Sequence, residues 1–400
     1  MPVASARRAS PRAARLGAVT PTEDSRRGAA AIGCVVIGRN EGERLGRCLR
    51  SLGCAPGSEA EDAATDASAS GLTLTLAGPA PPCVYVDSGS SDGSVALARG
   101  LGAHVVELDL DTPFTAARAR TAGFRRLLEV APGTAFVQFV DGDCEVVPGW
   151  LPRAARRLEA RPELGVVCGR RRERFVGASL YNRLCDIEWD TPVGDARACG
   201  GDALIRAVAL EGVGGYDPRL IAGEEPELCV RLRAAGFKVE RLDADMTLHD
   251  AAMSHFSQWW RRMVRSGHAY AEGAALHGRP PERHFVREYR RSWFWAAALP
   301  VAALGGAVPT LGASLLLLGG YPLSAFRVYR HVRRRGRSSH DALVAGLFTT
   351  VGKFPELQGI LTYHWTRVRG RRAGLIEYKR PPGRTRSAVA AGSTAAGQGD

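Results

Sequence analysis

The first regular feature along the chain is an unbroken apolar run, Ile32-Gly-Cys-Val-Val-Ile37, which predicts a strand buried on both faces. Gly38-Arg-Asn-Glu41 interrupts it, and Leu45, Leu49 and Leu52 then recur at helical spacing, predicting a helix over 43–52. Cys83-Val-Tyr-Val86 reads as a second strand, followed by a helix over Val95–Leu101 and a third strand over His104–Leu108. A helix over 115–130 precedes a fourth strand, Ala135-Phe-Val-Gln-Phe-Val140. Strands alternating with helices at these intervals predict an α/β fold, a mostly parallel sheet with helices on both faces. Further on, the pattern predicts helices at Leu151–Ala160 and Glu225–Ala235 and a strand around Val166–Cys168.

Composition shifts divide the chain into 1–30, 31–280, 281–380 and 381–400. Residues 1–30 carry Arg7, Arg8, Arg12, Arg15, Arg26 and Arg27 among Ala, Ser and Pro, the pattern of a disordered basic arm without a secretory signal. Residues 53–82 are rich in small residues and Pro and read as a surface insertion, with a minor strand at Leu72–Leu76. From Trp293 to Phe326 there is no acidic or basic residue. That run exceeds the roughly 20 residues of one helical membrane crossing and falls short of two. Pro300, Gly305-Gly306 and Pro309 interrupt it, and arginines flank it on both sides (Arg283, Arg287, Arg290, Arg291; Arg327, Arg330, Arg333, Arg334, Arg335, Arg337). A single crossing would strand one basic cluster outside. The expectation is therefore a re-entrant or interfacial helical hairpin turning near Gly305-Gly306, at the cytoplasmic face of the cell membrane, with a further interfacial helix in 341–365. The tail, 381–400, reads as disordered.

The net charge of +13 suits nucleic acid, an anionic membrane surface or an anionic substrate. No nucleic-acid module is recognisable, and the basic clusters adjoin the apolar run, so lipid headgroups are the simpler macromolecular partner and nucleic acid is not expected. The nine cysteines are odd in number and lack Cys-x-x-Cys spacing, which predicts buried, reduced thiols rather than a zinc site or disulfide framework.

Ligands of such sheets bind at the carboxyl ends of the strands, where Asp87, Asp141 and Asp143 all fall. Two carboxylates separated by one small residue can present oxygens to a hard cation, Mg²⁺ or Mn²⁺. In Asp87-Ser-Gly-Ser-Ser-Asp-Gly-Ser94, Asp87 is the candidate ligand residue and Asp92 the ordinary helix cap. Glu224 and Glu225 precede a helix that Pro226 would start well, so they either complement its dipole or supply a general base.

These segments together resemble glycosyltransferase family 2 proteins of the GT-A type over about 31–275. Val35-Val-Ile-Gly-Arg-Asn-Glu41 is similar to the family's opening strand. Asp87–Ser94 resembles its nucleotide loop, with Ser88 in place of a second Asp, and Phe114–Gly123 resembles its "AxARNxG" helix, with Thr121 in place of Asn. Asp141-Gly-Asp143 resembles the metal motif, Gly200-Gly-Asp202 and Val213–Asp217 the segment near the donor sugar, and Gly223-Glu-Glu225 the "GED" base motif. The resemblance implies a Rossmann-like sheet, a UDP- or GDP-sugar donor, a divalent cation and inverting transfer to an acceptor it does not identify; the expected membrane attachment suggests a lipid-linked one. The resemblance assigns Asp143, Asp141 and His249 to the metal, Glu225 or Glu224 to the base, and Asp87, Asp141, Arg118, Arg120, Asp202 and Glu41 to the donor. Gln258-Trp-Trp-Arg261 resembles a motif of processive synthases, but Arg262 stands where that motif has Trp, and single-sugar transfer is expected. The alternatives are a sugar nucleotidyltransferase, which would need a Gly-rich basic signature after the first strand, and a non-catalytic membrane-surface protein.

Overall fold

The computed structural model describes residues 31–56, 80–370 and 376. The basic arm, the expected strand at Leu72–Leu76 and the 381–400 tail lie outside the described residues. Strands β1 (Ile32–Gly38), β2 (Cys83–Asp87), β3 (His104–Glu107) and β4 (Phe136–Asp141) form a parallel half-sheet. Helices α1 (Glu43–Ser51), α2 (Ser94–Gly100) and α3 (Ala116–Val130) make the crossovers. Every residue of β2 is buried, as are the central five of β1, which is why both read as continuous apolar runs rather than alternating ones.

The second half is built on β5 (Cys144–Val146), α4 (Trp150–Ala160), β6 (Leu164–Glu173), α5 (Leu180–Glu188), β7 (Gly194–Ala196), β8 (Ala203–Arg206), α6 (Ala207–Gly212), α7 (Glu224–Ala234) and β9 (Lys238–His249). The sheet runs β3-β2-β1-β4-β8-β6-β9-β5, with β7 paired to β9. Strand β8 is antiparallel to both β4 and β6, while β6 and β9 are parallel. One core of buried aliphatics, with Phe139, Trp150 and Tyr216, spans both halves. Chain order reverses between β1 and β4, which opens the crevice where this class of sheet binds ligands.

A helical region follows: α8 (Phe256–His277), α9 (Val286–Trp293), a π-turn at Phe294–Ala298, α10 (Leu299–Gly305), a 3₁₀ turn at Ala313–Gly319, α11 (Gly320–Arg334), α12 (Ser339–Val351) and α13 (Lys353–Val368). The uncharged run is thus divided into short pieces. It folds back after Gly305, held by Ser314 Oγ donating to the Ala303 carbonyl (2.6 Å) and Tyr321 Oη to that of Trp295 (2.6 Å). Among the described residues no helix is long and apolar enough to cross a membrane. The 341–365 segment departs from the single interfacial helix its pattern suggested. It forms two helices, and α13 lays Pro355, Gly359, Ile360 and Tyr363 against the protein while Phe354, Leu361 and Trp365 stay exposed. Backbone contact between α8 and α13 is close enough that a β-carbon on Gly359 would lie 1.9 Å from the Val264 carbonyl oxygen.

Candidate active site

The crevice begins where β4 ends. Ile37 and Asp141 are in register, and Gly142 N–H donates to the Ile37 carbonyl (2.8 Å), which turns Asp141 and Asp143 out of the sheet beside the β1 loop. Glu41 lies in that loop, paired to Arg44 at 2.8 Å and close over Gly142.

Thr115 caps α3 by accepting from Arg118 N–H (3.0 Å), which sets the helix's rotation. Two residues apart on a helix means opposite sides. Arg118 accordingly turns to the surface and donates to the carbonyls of Asp109 (2.9 Å) and Thr112 (2.8 Å), holding that loop rather than reaching the crevice. Arg120 turns inward, wholly buried, and binds Asp141 (2.8 Å), Glu224 (2.8 Å) and Glu225 (3.1 Å). A β-carbon on Gly201 would sit 2.6 Å from the Arg120 guanidinium and 2.8 Å from the Asp141 carboxylate, so only glycine allows this closure.

The two glutamates occupy different surroundings. Glu224 is buried against Arg120, and its second oxygen has no hydrogen-bond partner among the described residues. Glu225 is more open. Burial and then the Glu224 charge push its carboxyl up to about 7, against the opposing pull of Arg120. A carboxyl titrating near neutrality and reaching solvent is suited to general base work.

Asp202 is fully buried. It accepts from Asp141 N–H (3.1 Å) and Thr247 Oγ1 (2.6 Å) and pairs with Arg171 at 2.9 Å, so it clamps β4 to β9 and β6. Arg171 also meets Asp141 (3.2 Å) and lies over the Trp189 ring (5.5 Å). Sequence reading missed Arg171: three consecutive arginines signal the end of a strand, whereas β6 continues through them to Glu173. Glu173 was missed for the same reason.

His249 ends β9 with its ring between two acids, Nε2 3.3 Å from Asp143 and Nδ1 3.5 Å from Glu173, and Trp189 packs edge-on at 4.7 Å. Burial alone would lower its pKa, but Asp143 and Glu173 outweigh that and raise it. Ligand atoms of Asp143, Cys144 and His249 converge, as do those of Asp141, Cys144 and Asp202. Burial, reinforced by the Asp202 charge, pushes the Cys144 thiol well up, and a soft sulfur is a poor match for a hard cation. The remaining donors are carboxylate oxygen and imidazole nitrogen, a set that accommodates Mn²⁺ or Mg²⁺. Among the described residues Asp141, Asp143, Glu173, Asp202, Glu224 and Glu225 gather around Arg120, Arg171 and His249, an acid-rich crevice whose charge a divalent cation would help offset.

Asp87 is held within its own turn. Its carboxylate accepts from Gly89 N–H (2.8 Å), Ser90 N–H (2.8 Å), Ser90 Oγ (2.5 Å) and Tyr85 Oη (2.9 Å), which fills its capacity. Asp87 thus offers a ligand the shape of the loop it folds, not a free oxygen. Asp92 accepts from Ser94 N–H (3.1 Å) and Ser94 Oγ (2.6 Å) at the start of α2, where Gly93 rather than Asp92 holds the cap position. Gln258 is taken up locally, its Oε1 accepting from Ser254 N–H (2.9 Å) and His255 N–H (3.0 Å) at the start of α8.

Residues 77–193 match the model for glycosyl transferase family 2. No curated protein matches the chain. Among solved structures, the mannosyltransferase PcManGT from Pyrobaculum calidifontis, in complex with GDP-Man and Mn²⁺, aligns at TM-score 0.53 and 17% identity over 85% of this chain and 89% of that one. TarS 1-349 of S. aureus in complex with UDP-GlcNAc aligns at TM-score 0.42 and 14% identity over 85% of this chain and 92% of that one.

Proposed function

We propose that this chain, a glycosyltransferase whose residues 77–193 belong to glycosyl transferase family 2, transfers one sugar from a nucleoside-diphosphate donor to an acceptor hydroxyl, with inversion. The observation that carries this reading is the Arg120 bridge. One buried guanidinium fixes the end of β4, with its Asp141-Gly-Asp143 turn, against the start of α7, where Glu225 titrates at about 7. The acceptor hydroxyl loses its proton to Glu225 as its oxygen attacks the anomeric carbon, and direct displacement from the opposite side of the leaving group inverts that carbon. Asp143 and His249 would hold a divalent cation, which supplies charge neutralisation for the departing diphosphate. Arg120 and Arg171 hold Asp141 in place.

The acceptor we assign is lipid-linked, at the cytoplasmic face of the membrane. The exposed apolar residues around the 306–316 fold-back, next to the arginines of α11, support this reading.

The test is hydrolysis or transfer with a panel of UDP- and GDP-sugars, GDP-mannose first because the structurally similar mannosyltransferase holds it. Metal-dependent release of one nucleoside diphosphate is expected, abolished by EDTA, restored by Mn²⁺ or Mg²⁺, and lowered at least a hundredfold in Asp143→Asn. Turnover that is indifferent to EDTA would sink the metal assignment, and absence of both turnover and donor binding would sink the transfer reading.

A further inference from the structure

On the other side of β6 from the crevice lies a second polar cleft, of about 690 Å³. It is walled by Arg170 and Arg172 of β6, Arg241 and Asp243–Asp245 of β9, the 190–193 loop and the 335–337 turn after α11. Neighbouring strand residues face opposite ways. Arg171 reaches Asp141 and Asp202, while Arg170 and Arg172 reach Asp186, Asp190 and Asp245 instead. The cleft is therefore separate from the candidate active site.

Its charges do not balance. Arg172 and Asp245 form an exposed one-to-one pair. Arg170, Arg335 and Arg337 then share two carboxylates: Arg170 and Arg337 bind both Asp186 and Asp190, and Arg335 also reaches Asp190. Arg241 brings the cleft to five guanidiniums and Asp243 brings it to four carboxylates, one positive charge in excess. Arg241 is only 5% exposed, its Nε has no hydrogen-bond partner, and no ion pair holds it among the described residues. Burial lowers its pKa, outweighing the opposing pull of Cys168 and the smaller ones of Asp190 and Asp243, with Arg170 pushing the same way as burial. Burying a guanidinium without a counter-ion is costly, and an anionic ligand would offset that cost.

We propose that this cleft binds a phosphate-bearing anion, with Arg241 as its central contact and Arg170, Arg335 and Arg337 around it. Arginine forks match phosphate oxygens two at a time. A ligand here competes with Asp186 and Asp190 for their guanidiniums, which favours the double charge of a phosphate or diphosphate over a single carboxylate. The volume lies within the range of small-molecule sites and exceeds what a bare phosphate fills. The phosphate has two possible sources, a soluble phosphate compound or the headgroup of a lipid.

The experiment is thermal unfolding of the full chain against inorganic pyrophosphate in EDTA, for the wild type, Arg241→Met and Arg335→Gln. Binding to the folded state raises Tm with ligand concentration. The expected result is a saturable rise in the wild type, with an apparent Kd at least tenfold weaker in Arg241→Met and about threefold weaker in Arg335→Gln. Met keeps the apolar stem and removes a buried charge, so this variant is expected to fold, and the more exposed Arg335→Gln carries the test if it does not. In a second arm, phosphatidylcholine vesicles with and without phosphatidic acid are sedimented with each protein. A pyrophosphate response that the variants weaken identifies a soluble ligand. Binding to phosphatidic acid that the variants weaken, without a pyrophosphate response, identifies a headgroup. Equal responses in all three proteins, or none in either arm, overturn the proposal.

Discussion

Glu224 and Glu225 are adjacent in sequence yet differ in what surrounds their carboxylates. Glu224 is buried with Arg120, which keeps Asp141 and Glu225 when Glu224 is replaced, so Glu224→Gln is expected to cost about 1–3 kcal/mol, read as a lower urea midpoint. Glu225→Gln is expected to leave the fold intact and donor binding within about twofold, while turnover falls by a factor on the order of 10²–10⁴. Equal loss of turnover without destabilisation in both variants would reverse the assignment. Because the Glu225 carboxyl titrates at about 7, kcat/KM should fall about tenfold per pH unit below that value. The same shift links to stability. The folded chain keeps the Glu225 proton over the window from the ordinary 4.5 to about 7, where the unfolded chain releases it, so stability falls as pH rises through that window. Denaturation at pH 5 and pH 8, in wild type and Glu225→Gln, checks this: the variant should lose that part of the slope.

At the scale of elements, the crossing of α8 and α13 holds the first and last helices of the helical region together. A β-carbon on Gly267 would lie 1.9 Å from the Glu356 carbonyl oxygen, as one on Gly359 would from that of Val264. These are backbone obstacles, which cannot rotate away. Gly267→Ala or Gly359→Ala is therefore expected to cost about 1–3 kcal/mol or more, seen as a Tm drop of several degrees, whereas Gly177→Ala, which meets no atom within 4 Å, should be nearly silent. The strands β1, β2 and β4 were legible because burial on both faces makes them uniformly apolar. The outer half of β6 was not. Arg170, Arg171 and Arg172 sit in a strand because each finds a carboxylate contributed by distant sequence.

For the whole molecule, the exposed apolar residues gather where the uncharged run folds back: Val308 is 86% exposed, Leu311 98% and Leu316 82%. Contiguous apolar surface of this kind marks an interaction site. Flotation with vesicles containing anionic lipid is the expected outcome, weakened by salt and reduced at least fivefold by the combined Val308→Asp, Leu311→Asp and Leu316→Asp substitutions. Unchanged flotation in that variant would assign membrane contact to the arginines alone.

The sequence by itself determined the succession of strands and helices through β4 and the positions of Asp141, Asp143, Glu224 and Glu225 at element ends. Local apolar periodicity and chain-breaking residues carry that information within a few residues of each site. Only the tertiary structure decided which acids are free to act. Asp87 is filled by its own turn, Arg118 faces away from Arg120, Arg171 enters from β6, and Glu225 rather than Glu224 carries the raised pKa. Some of these contacts are far apart in the chain, as with Arg120 and Glu224, separated by 104 positions, and others, like those that fill Asp87, are side-chain hydrogen bonds within one turn; apolar periodicity carries neither.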